Sequence, residues 1–131
     1  MNRFDARENA FALIFCSHFQ KELTVNEILD LFLESQEIEK DDYFELLVQT
    51  AHANLEQIDA AIEQNLNNWS LQRISKVSLA ALRLGVCEIL YIEDTPDHVA
   101  INEAVELAKK YEDTKCGQFV NGVLSSVMKS K

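Results

Sequence analysis

Turn-forming residues are scarce in this 131-residue chain, which has three glycines and one proline. A β-rich fold needs many tight turns, and these two residues build most of them. The composition therefore excludes a sandwich or a barrel. No stretch sustains period-two alternation with β-branched residues, while helical periodicity recurs throughout, so the expected fold class is all-α. Long apolar runs are missing too. The longest, Val77 to Ile92, is interrupted by Arg83 and Glu88, which excludes a membrane span. Arg3, Asp5, Arg7 and Glu8 leave no uninterrupted apolar core for an ordinary signal peptide. The three cysteines, Cys16, Cys87 and Cys116, are odd in number and have no CxxC spacing. Two of them fall on apolar helix faces, where reduced buried cysteine is usual, and the cytoplasm is the expected compartment.

Catalytic and metal-binding patterns are equally thin. His18, His52 and His98 are dispersed, and Cys16-x-His18 has nothing nearby to complete the four ligands of a zinc site. No cysteine has a local histidine signature for nucleophilic catalysis. Neither GxGxxG nor GxxxxGK[ST] occurs, so both nucleotide-binding turns are absent. The many carboxylates are better explained as solvated helix faces than as an acid–base pair. A binding module without cofactor or metal is expected, and not an enzyme.

Positive charge is the last shortage, with a formal net charge of −10. Residues 21–66 carry 12 acidic and 2 basic side chains, whereas residues 1–20 and 67–131 are each balanced. Repulsion of a polyanion is thus confined to the middle third, and both ends of the chain remain open to phosphate.

What is present is a series of amphipathic helices, about seven in two packed sub-bundles sharing one domain, with the boundary near residues 67 and 68. The first is expected over about Asp5 to Gln20, with Arg3, Arg7, Phe11, Phe15 and Phe19 at i+4 spacing. Thr24 and Glu27 form a capping box, and Leu23 with Ile28 a hydrophobic staple, for a helix reaching about Ser35. Asp41 and Asp42 precede one long helix, about Tyr43 to Leu66, whose seam is Phe44, Leu47, Ala51, Leu55, Ile58 and Ile62. Trp69 to Arg73 makes a short helical turn. Lys76 to Tyr91 is apolar almost all round and must be surrounded by other helices. Arg83 inside it needs a partner, Glu103 or Glu88, as a structural ion pair. Thr95 and Pro96 read as the N-cap and first residue of the next helix. Its inner face is Ile101, Ala104, Val105, Ala108 and Tyr111. The last helix buries Phe119, Val120, Val123, Leu124 and Val127, and its Gly122 is expected to permit a close crossing.

The runs Ala100 to Tyr111 (AINEAVELAKKY) and Phe119 to Leu124 (FVNGVL) resemble the NusB family of bacterial transcription antitermination factors. Trp69-Ser70-Leu71 with Arg73, and Leu82-Arg83-Leu84 with Glu88 to Tyr91, agree. The resemblance covers the whole chain. It implies an α-helical double bundle and pairing with NusE, a small-subunit ribosomal protein. It also implies binding of boxA-type single-stranded RNA, and loading onto RNA polymerase with other Nus factors, with no catalytic step. On this basis Arg3 and Arg7 match the family's arginine-bearing amino terminus, with Asp5 and Glu8 beside them, and Phe15 lies near a partner surface. Where the family commonly has an acidic residue ahead of its Leu-Arg pair, this chain has Ser78, which the resemblance makes, with Phe15, a candidate for contact with the protein partner. The remaining RNA candidates are Lys109, Lys110, Lys115, Phe119 and Asn121. They surround an expected turn at Glu112 to Gly117 and the first turn of the last helix, whose exposed N–H groups suit an anion. Cations beside an aromatic ring and an amide are a common way to hold RNA. Core packing for Phe119, and a solvated edge for Lys109 and Lys110 with Glu106 supporting Lys110, are the plain alternatives. Two other classes stay open. One is the NusB-like domain fronting certain ribosomal RNA cytosine methyltransferases, and the other is a helical adaptor without RNA binding.

Overall fold

Short polar side chains start most of the helices. Thr24 accepts the Glu27 N–H while the Glu27 carboxylate accepts the Thr24 N–H, completing the expected capping box ahead of α2 (Val25–Gln36). Asp41 caps α3 (Asp42–Ala53), Ser75 caps α5 (Lys76–Tyr91) and Asp113 caps α7 (Thr114–Lys129) in the same way. With α1 (Arg3–Ser17), α4 (Leu55–Gln64) and α6 (Asp97–Tyr111) they make seven helices and no strand among the described residues. The structure, a computed structural model, describes residues 1–17, 22–67 and 70–131. His18, Phe19, Gln20, Asn68 and Trp69, singled out above, lie outside them. No described helix is long and apolar enough to cross a membrane.

The apolar helix α5 is the one the others pack around, with α1, α3, α4, α6 and α7 all against it. Ten of its residues are buried, which is why its sequence has no polar face. Gly85 makes the closest approach possible, because a methyl group there would sit 2.6 Å from Leu124 Cδ1 and 3.3 Å from Ala104 Cβ. Helices α6 and α7 fold back on one another, and Gly117 is pressed against the Lys109 side chain. A methyl group at Gly122 would meet nothing within 4 Å, so the close crossing expected there belongs to Gly85 and Gly117 instead.

The long helix expected from Tyr43 to Leu66 is two helices. Asn54, at φ −118° and ψ 23°, donates both its backbone N–H and its side-chain amide to the Thr50 carbonyl. That local competition for a helical acceptor breaks the run without moving the seam. Phe44, Leu47, Ala51, Ile58 and Ile62 are all fully buried. The other helix boundary that differs is at α6, where Pro96 itself holds the cap position without a side-chain bond. Thr95 is buried elsewhere, hydrogen-bonded to Tyr43 and Glu88. Residues 70–73 form a hydrogen-bonded turn rather than a helical one, with the Arg73 N–H donated to the Ser70 carbonyl at 3.0 Å.

Two arginine pairs join the helices, Arg7–Glu88 buried and Arg83–Asp59 half-buried. Arg83 does not pair with Glu103 or Glu88. Its Nε and Nη2 donate to the two carboxylate oxygens of Asp59 on α4, both at 2.9 Å. Glu88, 1 % exposed, instead accepts from Arg7 Nε at 2.9 Å, from the Tyr43 hydroxyl at 2.6 Å and from Thr95 Oγ1 at 3.3 Å. This cluster ties α1, α3, α5 and the α5–α6 loop together.

Candidate nucleic-acid interface

Only Glu112 and Asp113 separate α6 from α7. The expected six-residue turn is therefore shorter, and Thr114 to Gly117 already form the first turn of α7. Phe119 and Asn121 lie in its second turn. Asp113 Oδ1 accepts the Cys116 N–H at 2.8 Å, so this helix start has its own carboxylate cap. Lys115 is exposed beside it. Facing it across a cavity of about 430 Å³ is the loop before α5, and Arg73, Ile74, Ser75 and Ser78 line the cavity with Glu112, Asp113, Lys115, Cys116 and Phe119.

The chemistry of that cavity is mixed. Arg73 and Lys115 have no carboxylate within ion-pair distance among the described residues, although Glu112 and Asp113 share the cavity wall. Phe119 is half-buried, with one part against the core and another in the cavity. Two unpaired cations flanking an accessible ring can hold a phosphate and stack a base. Ser78 is buried in the cavity wall, and its hydroxyl lies 3.0 Å from Cys116 Sγ. Burial pushes the Cys116 thiol up, against the opposing effect of the Ser78 hydroxyl. Arg73 was expected only as the end of a short helical turn, and nothing local showed that it would face Lys115.

The other candidates are placed differently. Lys109 is exposed and 3.5 Å from Glu106, which therefore supports Lys109 and not Lys110. Lys110 reaches α1, donating to Glu8 Oε2 at 2.5 Å, and the Tyr111 hydroxyl donates to the same oxygen at 2.8 Å. These two donors hold the Glu8 carboxyl below the usual carboxylate range, with Lys110 the larger cause and burial opposing. Tyr111, expected to be buried, is 48 % exposed, while Leu107 takes its place in the core. Asn121 is exposed. Phe15 is half-buried and stacked on Phe11, with ring centroids 6.4 Å apart.

At the amino terminus the two arginines part company. Arg7 is 6 % exposed, so its expected grip on phosphate gives way to the buried pair with Glu88. Burial alone would lower its pKa, but the charge and hydrogen bond of Glu88 raise it, with smaller help from Tyr43 and Glu103. Arg3 is exposed, its guanidinium carbon 3.6 Å from the centroid of the Tyr43 ring. The structure thus gathers Arg73, Lys115 and Phe119 at one cavity, brings Lys110 to α1, and sets Arg3 on α3.

Comparison with known proteins places this arrangement. Residues 5–129 match the model of the NusB family. The transcription antitermination protein NusB of Listeria monocytogenes serotype 4a (strain HCC23) is 45 % identical over 129 residues, covering 97 % of this chain and 96 % of the relative. T. maritima NusB superposes with a TM-score of 0.86 at 33 % identity, covering 98 % of this chain and 92 % of that one. A chain from a crystal structure of antitermination factors NusB and NusE in complex with dsRNA superposes with a TM-score of 0.83 at 34 % identity, covering 100 % of both. With family sequence and family fold matching from α1 to α7, the chain belongs to the NusB family.

Proposed function

We propose that this chain is a non-catalytic, RNA-binding transcription antitermination factor that pairs with NusE, a small-subunit ribosomal protein. In this reading it takes boxA-type single-stranded RNA from ribosomal transcripts and joins RNA polymerase through the other Nus factors, all in the cytoplasm. The observation that carries it is the 45 % identity with an antitermination protein along nearly the whole of both chains. The relative matched along nearly its whole length is an antitermination protein, which favours this reading over the methyltransferase one. Arg3, Lys115 and Phe119, joined by Arg73, are the residues proposed to meet RNA, with Lys109, Lys110 and Asn121 beside them. Phe15 is proposed to lie at the ribosomal-protein face. The acidic helices of residues 21–66 suit a basic protein partner, and complementary charge speeds and orients such docking.

The test is a fluorescence-anisotropy titration of labelled boxA-like RNA, single-stranded and duplex, with and without the ribosomal protein. Tight binding of the single strand only with the partner present is the expected result. If this chain neutralises two to four phosphates, log affinity should fall with log salt at a slope of roughly −1.5 to −3. No binding in any arm would leave a helical adaptor without RNA.

A further inference from the structure

Arg3 differs from the other candidate cations in what holds it. Lys109 and Lys110 lie against carboxylates, whereas Arg3 has none within ion-pair distance among the described residues and rests over the Tyr43 ring. A ring occupies only the face of a guanidinium, so the N–H groups along the edge stay open to the two oxygens of a phosphate. The ring itself is fixed from behind. The Tyr43 hydroxyl donates to Glu88 Oε2 at 2.6 Å and lies 2.9 Å from Thr95 Oγ1, and Glu88 is in turn held by buried Arg7. The next residue, Phe44, is fully buried, which anchors the backbone at the same point.

We propose that Tyr43 is a positioning residue for RNA: its ring, locked by Glu88 and Thr95, holds the Arg3 guanidinium ready for a phosphate of single-stranded RNA. This inference rests on the RNA-binding reading above and assigns Arg3 a device that the plain presence of an amino-terminal arginine does not require. Arg7 then acts on RNA only through Glu88 and Tyr43, as the far end of the same chain of contacts. A long side chain ordered before binding loses less freedom on binding, an advantage of about two- to tenfold in affinity.

The experiment uses the full chain with its ribosomal partner and a labelled boxA-type single-stranded RNA, across a salt series. Arg3→Lys keeps the charge at an exposed position and loses the planar stack. It should bind about two- to tenfold more weakly with an unchanged salt slope, whereas Arg3→Ala should also flatten the slope by about 0.7. Tyr43→Leu should copy Arg3→Lys in the wild-type background and have no further effect in Arg3→Ala. Tyr43→Phe, which keeps the ring but loses its bonds to Glu88 and Thr95, should fall between wild type and Tyr43→Leu. Wild-type affinity for Arg3→Lys would overturn the proposal, as would an equal loss from Tyr43→Leu in both backgrounds. If Tyr43→Leu does not fold, Arg3→Lys alone decides. A wild-type chain that binds no RNA in any arm is a separate result that removes the functional reading first.

Discussion

Arg7→Met removes the cation from a buried pair and leaves Glu88 behind. The two side chains are 8 % and 1 % exposed, so solvent cannot replace the lost partner. Tyr43 and Thr95 would still face the carboxylate, but neither carries charge. Removing one member of a buried ion pair costs about 3–5 kcal/mol. For a domain of this size that is roughly 10–20 °C in melting temperature. In Arg7→Met/Glu88→Leu the stranded charge is gone, and the Tyr43 and Thr95 hydroxyls, 2.9 Å apart, can bond to each other. The double variant should therefore recover most of the loss, since replacing both partners by apolar groups is often close to neutral. Urea unfolding followed by far-ultraviolet circular dichroism measures both, with RNA affinity measured on the folded fraction. If Arg7→Met unfolds within about 1 kcal/mol of wild type, below what a stranded buried charge costs, the network does not hold the fold. A shallower salt slope for RNA at unchanged stability would make Arg7 a phosphate ligand after all, and would refute its assignment to the core.

Three further outcomes follow from single features. Glu37 ends α2 at φ 54°, where a side chain is strained and glycine is not, so Glu37→Gly should raise stability by about 0.5–1 kcal/mol in thermal unfolding. Cys16 is exposed, Cys116 is buried, and burial with nearby Glu88 pushes the Cys87 thiol up to about 12. One equivalent of thiol reagent should therefore react quickly at neutral pH, at Cys16, and Cys87 should react only on unfolding. Glu8 has a folded pKa below its unfolded one, so its contribution is present above the ordinary carboxylate value of about 4.3 and is lost as pH falls through the folded value. Acid titration should release Tyr111 from α1 in that window, seen in the Tyr111 ring resonances. Glu8→Gln should abolish the transition, and an unchanged titration in that variant would sink the assignment.

Local chemistry was legible in the sequence and distant chemistry was not. The Thr24–Glu27 box and the bounds of α5 rest on neighbours within one or two turns, and both stand as read. The break at Asn54 is also local, but the apolar seam runs through it unbroken and masks it. Arg83 was correctly expected to need a partner, yet its partner Asp59 is on another helix, 24 residues away. Arg7 and Glu88 are 81 residues apart, and a sequence shows only that each is charged. The family motif drew attention to the α6–α7 junction. It could not show that Arg73, from the loop before α5, would complete the cavity there.

A chain with net charge −10 can still receive phosphate because its opposite charges are not used alike. Several carboxylates are engaged by the chain itself: Glu27 and Asp41 cap helices, Asp59 holds half-buried Arg83, Glu88 holds buried Arg7, and Asp113 caps α7. Among the described residues, Arg3, Arg73, Lys76, Lys115 and Lys129 have no ion-pair partner. Four of those five lie beyond residue 70, outside the acidic middle third, and two of them line one cavity with Phe119. Screening confines the repulsion of the acidic helices to about a Debye length, about 8 Å at physiological salt, so local charge governs contact with RNA more than the total does. The total still opposes long-range attraction of a polyanion. A basic protein covering the acidic helices would reduce that opposition, which is the physical basis of the partner dependence expected in the RNA titration.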